Sequence, residues 1–213
     1  MTAGFEIRLL RPDELEPAVA MLARAFFHDP GALIVEPDPR LRPATIGAFF
    51  APVVRWALPF GHVAAAATAT GQIAGVATFV PPGHDTPTEA ELSVAGFAEA
   101  EAAFPEAAAR NGPMVAFLEA QHTAAIDGPH WRLEFFGVDP DFQGSGLGGR
   151  LIETGHAKAD AAGERVWLET FTAENVRWYE GRGYRVVSVA RVPGSAFTIW
   201  GLIREPQRTA ADR

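Results

Sequence analysis

The chain contains no cysteine. This absence excludes disulfides, thiolate metal sites and a cysteine nucleophile. The chain also lacks an uncharged apolar run long enough to span a bilayer. Its first residues, MTAGFEIRLL, lack the basic-then-apolar order of a signal peptide. We therefore expect a soluble, cytoplasmic protein whose chemistry depends on oxygen and nitrogen side chains or on a cofactor.

Basic residues are outnumbered by acidic ones. Lys and Arg total 18 against 26 Asp and Glu, which gives a formal net charge of −8. Binding to a nucleic-acid duplex needs clustered Lys and Arg, and this chain has no such cluster. We therefore expect neither a nucleic acid nor a membrane as a partner.

The length of 213 residues fits one globular domain, and 48% hydrophobic residues can form its core. We predict a single domain over residues 1–213, with a variable insert at about 83–128 and a loose tail at about 205–213. The segment HDPGA, residues 28–32, is interpreted as a turn, and a following helical segment is expected to be interrupted near Pro52. Two helices are predicted in the insert, at about 89–104 and 115–123.

Alternating and helical hydrophobic patterns follow one another along the chain and indicate a mixed α/β fold. The clearest unit is strand, helix, strand: HWRLEFFGV at residues 130–138, a helix opened by GLGGRLIE, and RVWLETF at residues 165–171. Strand alternation predicts that His130, Arg132, Glu134, Phe136 and Val138 lie on one face.

The glycine-rich loop at the start of this helix can be interpreted in two registers. Gly144, Gly146 and Gly149 match the G-x-G-x-x-G of a dinucleotide-binding loop. However, five residues separate Val138 from Gly144, and only 64 residues follow Gly149, too few for the rest of a doubly wound sheet. A P-loop is excluded more directly, because Arg150 and Leu151 occupy the positions of its Lys and Ser or Thr.

The second register matches a different signature. Gln143, Gly146 and Gly148 fit Q-x-x-G-x-G, and a later N-x-x-x-Y-x-x-x-G-[FY] pattern falls on Asn175, Tyr179 and the Gly183-Tyr184 pair. Together these two motifs resemble the acetyl-CoA-binding core of the GNAT superfamily of N-acetyltransferases, most closely over residues 130–187. The resemblance implies a central, mostly antiparallel twisted sheet of about seven strands, with helices on both faces. Its central parallel strand pair should be splayed, diverging after Val138 and near Glu169.

The resemblance also implies a cofactor, acetyl-CoA, and no metal. Backbone N–H groups at a helix N-terminus favour an anion, so the loop amides are expected to hold the CoA pyrophosphate. The strand edge at residues 136–138 would pair with pantetheine, and the Val138 amide would stabilise an oxyanion. The predicted cofactor-binding residues are Phe136, Gly137, Val138, Gln143, Gly144, Ser145, Gly146, Leu147, Gly148, Gly149, Asn175 and Tyr179.

Two catalytic residues are predicted on the same basis. Tyr179 is expected to act as general acid toward the departing thiolate; the alternative is a core tyrosine. Glu134 is expected to act as general base; the alternatives are a salt-bridge partner of Arg132 or an exposed strand residue. Asn175 shares a helix face with Tyr179 and would bond the pantetheine or the preceding loop, unless it serves as a cap.

The predicted activity is transfer of an acetyl group from acetyl-CoA to a primary amine of a small molecule or peptide, by direct attack in a ternary complex. A non-catalytic acyl-CoA-binding module of the same fold is the alternative, and a nucleotide-dependent oxidoreductase is a third hypothesis. The acceptor walls would come from residues 28–39 and the insert, which carry no recognisable substrate code. The acidic composition weakly favours a cationic amine, and the protein is expected to be a monomer or homodimer.

Overall fold

A computed structural model describes residues 4–84 and 87–207. Its strands are β1 (Phe5–Leu9), β2 (His62–Thr68), β3 (Ile73–Val80), β4 (His130–Val138), β5 (Arg165–Thr170), β6 (Tyr184–Arg191) and β7 (Thr198–Arg204). Its α-helices are α1 (Leu15–Ala25), α2 (Pro30–Val35), α3 (Arg42–Ala57), α4 (Glu89–Ala95), α5 (Phe97–Ala103), α6 (Pro105–Ala125), α7 (Leu147–Ala162) and α8 (Ala173–Glu180). Short 3-10 turns lie at Pro12–Glu14 and Pro140–Phe142.

The seven strands form one sheet in the order β1-β2-β3-β4-β5-β7-β6. Every neighbouring pair is antiparallel except β4 and β5, which run parallel. Helix α7 packs with its apolar stripe, including Leu147 and Leu151, on one face of the sheet, and α1 packs Met21 and Leu22 on the other. The predicted fold class, with helices on both faces, is confirmed.

The central parallel pair separates earlier than predicted. Pairing between β4 and β5 covers only the three positions from His130 opposite Arg165 to Arg132 opposite Trp167. Beyond this point β4 stays paired with β3, and β5 stays paired with β7. The two strands therefore part after Arg132, not after Val138, because each follows its own antiparallel partner and strand twist carries the two halves of the sheet apart.

A β-bulge changes which β4 side chains share a face. The register with β3 runs from Phe135 opposite Thr78 directly to Leu133 opposite Phe79, which leaves Glu134 as an extra residue. An extra residue reverses the alternation beyond it. Leu133 thus packs in the same core as Phe136 and Val138, and the prediction of one face for all the even-numbered residues from 130 to 138 is wrong.

Three helix predictions are also corrected. The segment predicted as a turn at residues 28–32 begins α2, and α3 continues through Pro52. Buried residues on both sides of Pro52, including Ile46 and Val54, hold α3 in the core, and this packing outweighs the missing N–H. In the insert, the predicted first helix is divided at Gly96, and the second is far longer than predicted, spanning Pro105–Ala125.

The predicted loose tail falls mostly on residues 208–213, outside the described residues. Within the described part of this predicted tail, the backbone N–H of Gln207 donates to Asp160 Oδ1 at 2.7 Å. Across residues 4–84 and 87–207, no helix combines the length and apolar character needed to cross a bilayer.

Candidate active site

A cleft of about 540 Å³ opens where β4 and β5 part. Its walls come from the end of α1, the second half of β4, the loop leading into α7, and α8. The lining residues are Ala25, Phe26, Asp29, Phe136, Gly137, Val138, Phe142, Gln143, Gly144, Gly146, Leu147, Gly148, Gly149, Glu174, Asn175, Trp178, Tyr179 and Arg182.

The backbone of β4 presents polar groups to this cleft. The N–H of Asp139 donates to Ala74 O on β3 at 2.9 Å, and an antiparallel ladder bonds every second residue. The N–H and C=O groups of Phe136 and Val138 therefore point away from β3, into the gap left by β5. The Val138 carbonyl accepts a hydrogen bond there from Gln143 Nε2 at 3.1 Å.

The glycine loop lines the cleft and leads into the N-terminus of α7. Gly144 and Gly146 have φ values of +73° and +79°, and a Cβ at either position would meet no described atom within 4 Å. The amide of Leu147 has only a long contact, 3.4 Å, to Ser145 Oγ, and the first turn of any helix leaves N–H groups unpaired. The loop thus combines an open surface, free donors and the positive end of a helix dipole, which together suit an anionic group.

The structure brings most of the predicted site residues together. Eleven of the twelve predicted cofactor-binding residues line the cleft. The twelfth, Ser145, is exposed and donates its hydroxyl to Phe142 O at 2.6 Å, which stabilises the loop from outside the cleft.

Tyr179 lies at the cleft wall with its ring in the core. The residue is 7% exposed and packs near the rings of Phe136 and Tyr184. Its hydroxyl makes no hydrogen bond to another described residue. Burial raises the pKa of the Tyr179 phenol, and the negative charge of Asp29 raises it further, so the hydroxyl stays protonated and free to donate.

Asn175 connects α8 to the end of β5. Its Nδ2 donates to Thr170 Oγ1 at 3.0 Å, while its backbone N–H donates to the capping hydroxyl of Thr172. Because α8 begins at this Thr172 cap, Asn175 lies one turn before Tyr179 on the cleft side.

Asp29 lines the cleft; the sequence analysis included it in the acceptor-wall segment 28–39 but assigned it no role of its own. It caps α2, accepting a hydrogen bond from the Gly31 N–H at 2.8 Å, and Gly31 packs on the ring of Phe171, which follows β5. Burial raises the pKa of Asp29 to about 6. Hydrogen bonds from the N–H groups of Gly31 and Ala32 favour the carboxylate and oppose this rise. Asp followed by Pro is a common way to start a helix, and this signal was available in the sequence.

Glu134 does not line the cleft. Its Oε1 lies 3.1 Å from Arg132 Nε, and Arg132 Nη2 also contacts Glu119 on α6 at 2.7 Å. Glu169 completes this group of charged residues at the point where β4 and β5 part. Burial raises the pKa of Glu169 to about 8, and its Oε1 has no hydrogen-bond partner among the described residues.

The overall fold is similar to several solved acetyltransferase structures. An agmatine N-acetyltransferase shares 20% identity, with 94% of this chain and 99% of that chain covered and a TM-score of 0.68. A Corynebacterium glutamicum protein termed histone acetyltransferase HPA2 and related acetyltransferase shares 20% identity over 99% of both chains, with a TM-score of 0.66. The Drosophila melanogaster polyamine N-acetyltransferase shares 18% identity over 95% of this chain and 100% of that chain, with a TM-score of 0.64.

The sequence itself matches a family profile. The acetyltransferase (GNAT) family profile aligns with residues 32–184, which include both glycine motifs and most of the cleft. Acetyltransferases of this family use acetyl-CoA as co-substrate. The chain therefore belongs to the GNAT acetyltransferase family and is an acetyltransferase.

Proposed function

We propose that the protein transfers an acetyl group from acetyl-CoA to the primary amine of a small molecule, by direct attack in a ternary complex. One observation carries this proposal: the loop amides of α7, the free amides of β4, Tyr179 and Asp29 line the same cleft. The amides of the loop and of β4 would bind acetyl-CoA. Tyr179 would donate a proton to the leaving thiolate, and Asp29 would accept a proton from the attacking amine.

The described residues fit the donor well. Loop amides of residues 143–149 would hold the pyrophosphate, and the open space around Gly146 leaves room for it. The edge of β4 at Phe136 and Val138 would pair with the pantetheine amides, because the backbone groups of these residues face the gap. When bound, acetyl-CoA supplies the thioester carbonyl and the thiolate leaving group. The Val138 N–H would donate to the carbonyl oxygen as negative charge develops on it.

Tyr179 would act as the general acid. A thiolate leaves more readily when a hydroxyl donates to the sulfur. A phenol is protonated throughout the neutral range at its ordinary pKa, and burial raises the pKa of Tyr179 further; the hydroxyl has no competing hydrogen bond within the described residues.

Asp29 would accept the proton of the acceptor ammonium, directly or through water. A carboxylate with a pKa near 6 matches a base at neutral pH better than an ordinary carboxylate. Glu134, the base predicted from the sequence, is the second candidate. Its carboxylate is paired with Arg132, which lowers its availability as a base.

A small cationic amine is the acceptor class that we infer. Asp29 and Glu174 are the acidic residues among the cleft lining, and the whole chain has a net charge of −8. The names of two structurally similar proteins, agmatine N-acetyltransferase and polyamine N-acetyltransferase, point to the same class.

The decisive experiment measures release of free CoA thiol with a panel of amines, alongside binding of acetyl-CoA. We expect thiol release that depends on an amine and on the protein. Tight acetyl-CoA binding without turnover on any amine would instead support the acyl-CoA-binding module, and binding of NAD without CoA would support the oxidoreductase.

Replacing Gly146 by Val should weaken acetyl-CoA binding by roughly tenfold or more. The branched Cβ is strained at a φ of +79° and intrudes on the amide-lined loop. Gly163→Val is the matched control, since Gly163 ends the same helix with φ +68° and open surroundings. Calorimetry should show weakened binding only in the Gly146 variant, although both variants lose stability; equal affinity in the two would remove the loop from the donor site.

Acetyl-CoA should also raise the thermal stability of the protein. A ligand that binds only the folded state stabilises it by about 2.7 kcal/mol at a hundredfold excess over the dissociation constant. Scanning calorimetry over a range of acetyl-CoA concentrations measures this shift, and NAD at the same concentrations serves as the control. A midpoint that does not move with acetyl-CoA would contradict the proposed donor.

A further inference from the structure

Arg42 is a buried arginine at the start of α3 that binds three backbone carbonyls. The residue is 5% exposed. Its Nε donates to Glu36 O and its Nη2 to Pro37 O, each at 2.7 Å, while Nη1 donates to Phe27 O at 3.1 Å. The guanidinium carbon also lies 5.0 Å from the centre of the Phe27 ring. Because all three nitrogens of one planar fork are used at once, the side chain is held in a single position.

The three carbonyls lie on both sides of Asp29 in the chain. The carbonyl of Phe27 comes shortly before Asp29, and the other two come directly after α2. Arg42 therefore fastens both ends of the segment 27–37, which carries Asp29 and the whole of α2, to the first turn of α3. This segment cannot move away from α3 as a unit without breaking these hydrogen bonds.

Asp29 has little freedom of its own within this segment. Its Oδ1 accepts a hydrogen bond from the N–H of Gly31 at 2.8 Å as the cap of α2. The turn is tightly packed, because a Cβ built on Gly31 would lie 3.0 Å from both Asp29 Oδ1 and the ring of Phe171. The carboxylate is therefore tied to the start of α2, and a shift of this helix would carry Asp29 along the wall of the cleft.

The insert supplies a second arginine to the same segment. Arg110 of α6 donates from Nε to Val35 O at 2.7 Å, and its Nη2 lies 3.5 Å from Glu36 Oε2. Val35 is the last residue of α2, so this guanidinium lies at the helix end where carbonyls are left unpaired and the dipole is negative. The end of α2 is thus held by α3 and by the insert together.

We propose that Arg42 is a positioning residue that sets the distance and orientation of the Asp29 carboxylate toward the attacking amine, with Arg110 of the insert reinforcing it. This inference rests on the proposed role of Asp29 as the base. A displacement of about 1 Å can lower a rate about a hundredfold, so the bonds that fix the segment 27–37 have a direct kinetic consequence.

A general contribution of Arg42 to folding is the competing explanation, because removing a buried donor leaves carbonyls unpaired and costs stability wherever it lies. Arg204 provides a matched control. It is 3% exposed, bonds Asp160 through both Nη atoms at 2.7 and 2.8 Å, and lies outside the cleft lining. Arg204→Gln should therefore lower the unfolding midpoint as Arg42→Gln does, while its kcat and pH profile stay close to those of the unmodified enzyme.

The test measures kcat against pH by release of CoA thiol, below the unfolding midpoint of each variant. In the unmodified enzyme the rate should fall as the pH drops through about 6, where Asp29 takes up a proton. In Arg42→Gln the loosened segment admits water to Asp29, so this fall should move about one pH unit lower or more, and kcat at pH 8 should drop by about tenfold to a hundredfold. Arg42→Lys keeps the charge and part of the bonding, and should lie between the two.

Combining Arg42→Gln with Asp29→Asn separates this role from a general defect. Once the carboxylate is absent its position no longer matters, so the double variant should be no more than about twofold slower than Asp29→Asn alone. A full additional loss in the double variant, or an unshifted pH profile in the Arg42 variants, would overturn the proposal. If Arg42→Gln does not fold, Arg42→Lys and Arg110→Gln provide the same comparison.

Failure of the proposed function gives a different result. Undiminished turnover in Asp29→Asn would overturn the assignment of the base, and this inference with it. Absence of amine-dependent thiol release from the unmodified protein would overturn the acetyl transfer itself. A base that is confirmed by Asp29→Asn, together with Arg42 variants that keep a normal kcat and pH profile, would overturn only the positioning role.

Discussion

Replacing Tyr179 by Phe is expected to lower the turnover number by about 10² to 10⁴, with little change in acetyl-CoA affinity. The hydroxyl would donate to sulfur mainly as the carbon–sulfur bond breaks, so its loss raises the barrier without weakening the ground-state complex. The ring of Tyr179, which packs in the core near Phe136, is kept in the variant.

The chain offers a matched control for this substitution. It contains two tyrosines, and the other, Tyr184, is equally buried but lies outside the cleft lining. The Tyr184 hydroxyl is hydrogen-bonded to His156 Nε2 at 3.0 Å, so Tyr184→Phe should cost stability and leave turnover close to normal. Comparable turnover in the two variants, with chemistry shown to be rate-limiting, would exclude Tyr179 as the acid.

Replacing Asp29 by Asn is expected to reduce turnover by a similar factor, about 10² to 10⁴ at neutral pH. Asn can still accept the hydrogen bond from the Gly31 N–H that caps α2, so the helix start is preserved while the base is lost. In the unmodified enzyme, the rate should fall as the pH drops through about 6, where Asp29 takes up a proton.

The Asp29→Asn variant should gain thermodynamic stability even though it loses turnover. The pKa of Asp29 is raised in the folded state from 3.8 to about 6, so the protonated form is favoured by folding, and the free energy of unfolding decreases as the pH rises through this window. At about 1.36 kcal/mol per pH unit, the ionised carboxylate destabilises the fold by about 3 kcal/mol above pH 6. Asp29→Asn should therefore be more stable than the unmodified protein at pH 8, and this difference should vanish below about pH 4.

Glu134→Gln separates the two candidate bases. If Asp29 is the base, the Glu134 variant keeps the falling rate near pH 6 and most of its turnover, whereas the Asp29 variant loses both. The reverse result would restore Glu134 as the base. Chemical denaturation of both variants at pH 8 provides the structural control, because only the Asp29 variant should gain stability.

The sequence by itself determined the parts of this protein that depend on local order. The glycine loop leads directly into the apolar stripe of α7, which begins at Leu147, and the five residues between Val138 and Gly144 already weakened the dinucleotide interpretation. The strand at His130–Val138 was predicted with its observed boundaries, because its alternation and flanking turn residues are local features. These patterns arise within one or two elements and need no knowledge of distant partners.

Only the tertiary structure decided where the charged side chains point. Glu134 is turned out of the predicted face because the register of β4 depends on β3, which lies some fifty residues earlier in the chain. Asp29 enters the cleft because it lies between α1, which packs on the opposite face of the sheet from α7, and α2, which packs in a cluster with α3 and α6. Arg182 faces the first turn of α7 only because Gly149 leaves space for it. Strand register, strand parting and close approach of helices are set by packing between elements far apart in sequence, and local periodicity contains no information on these contacts.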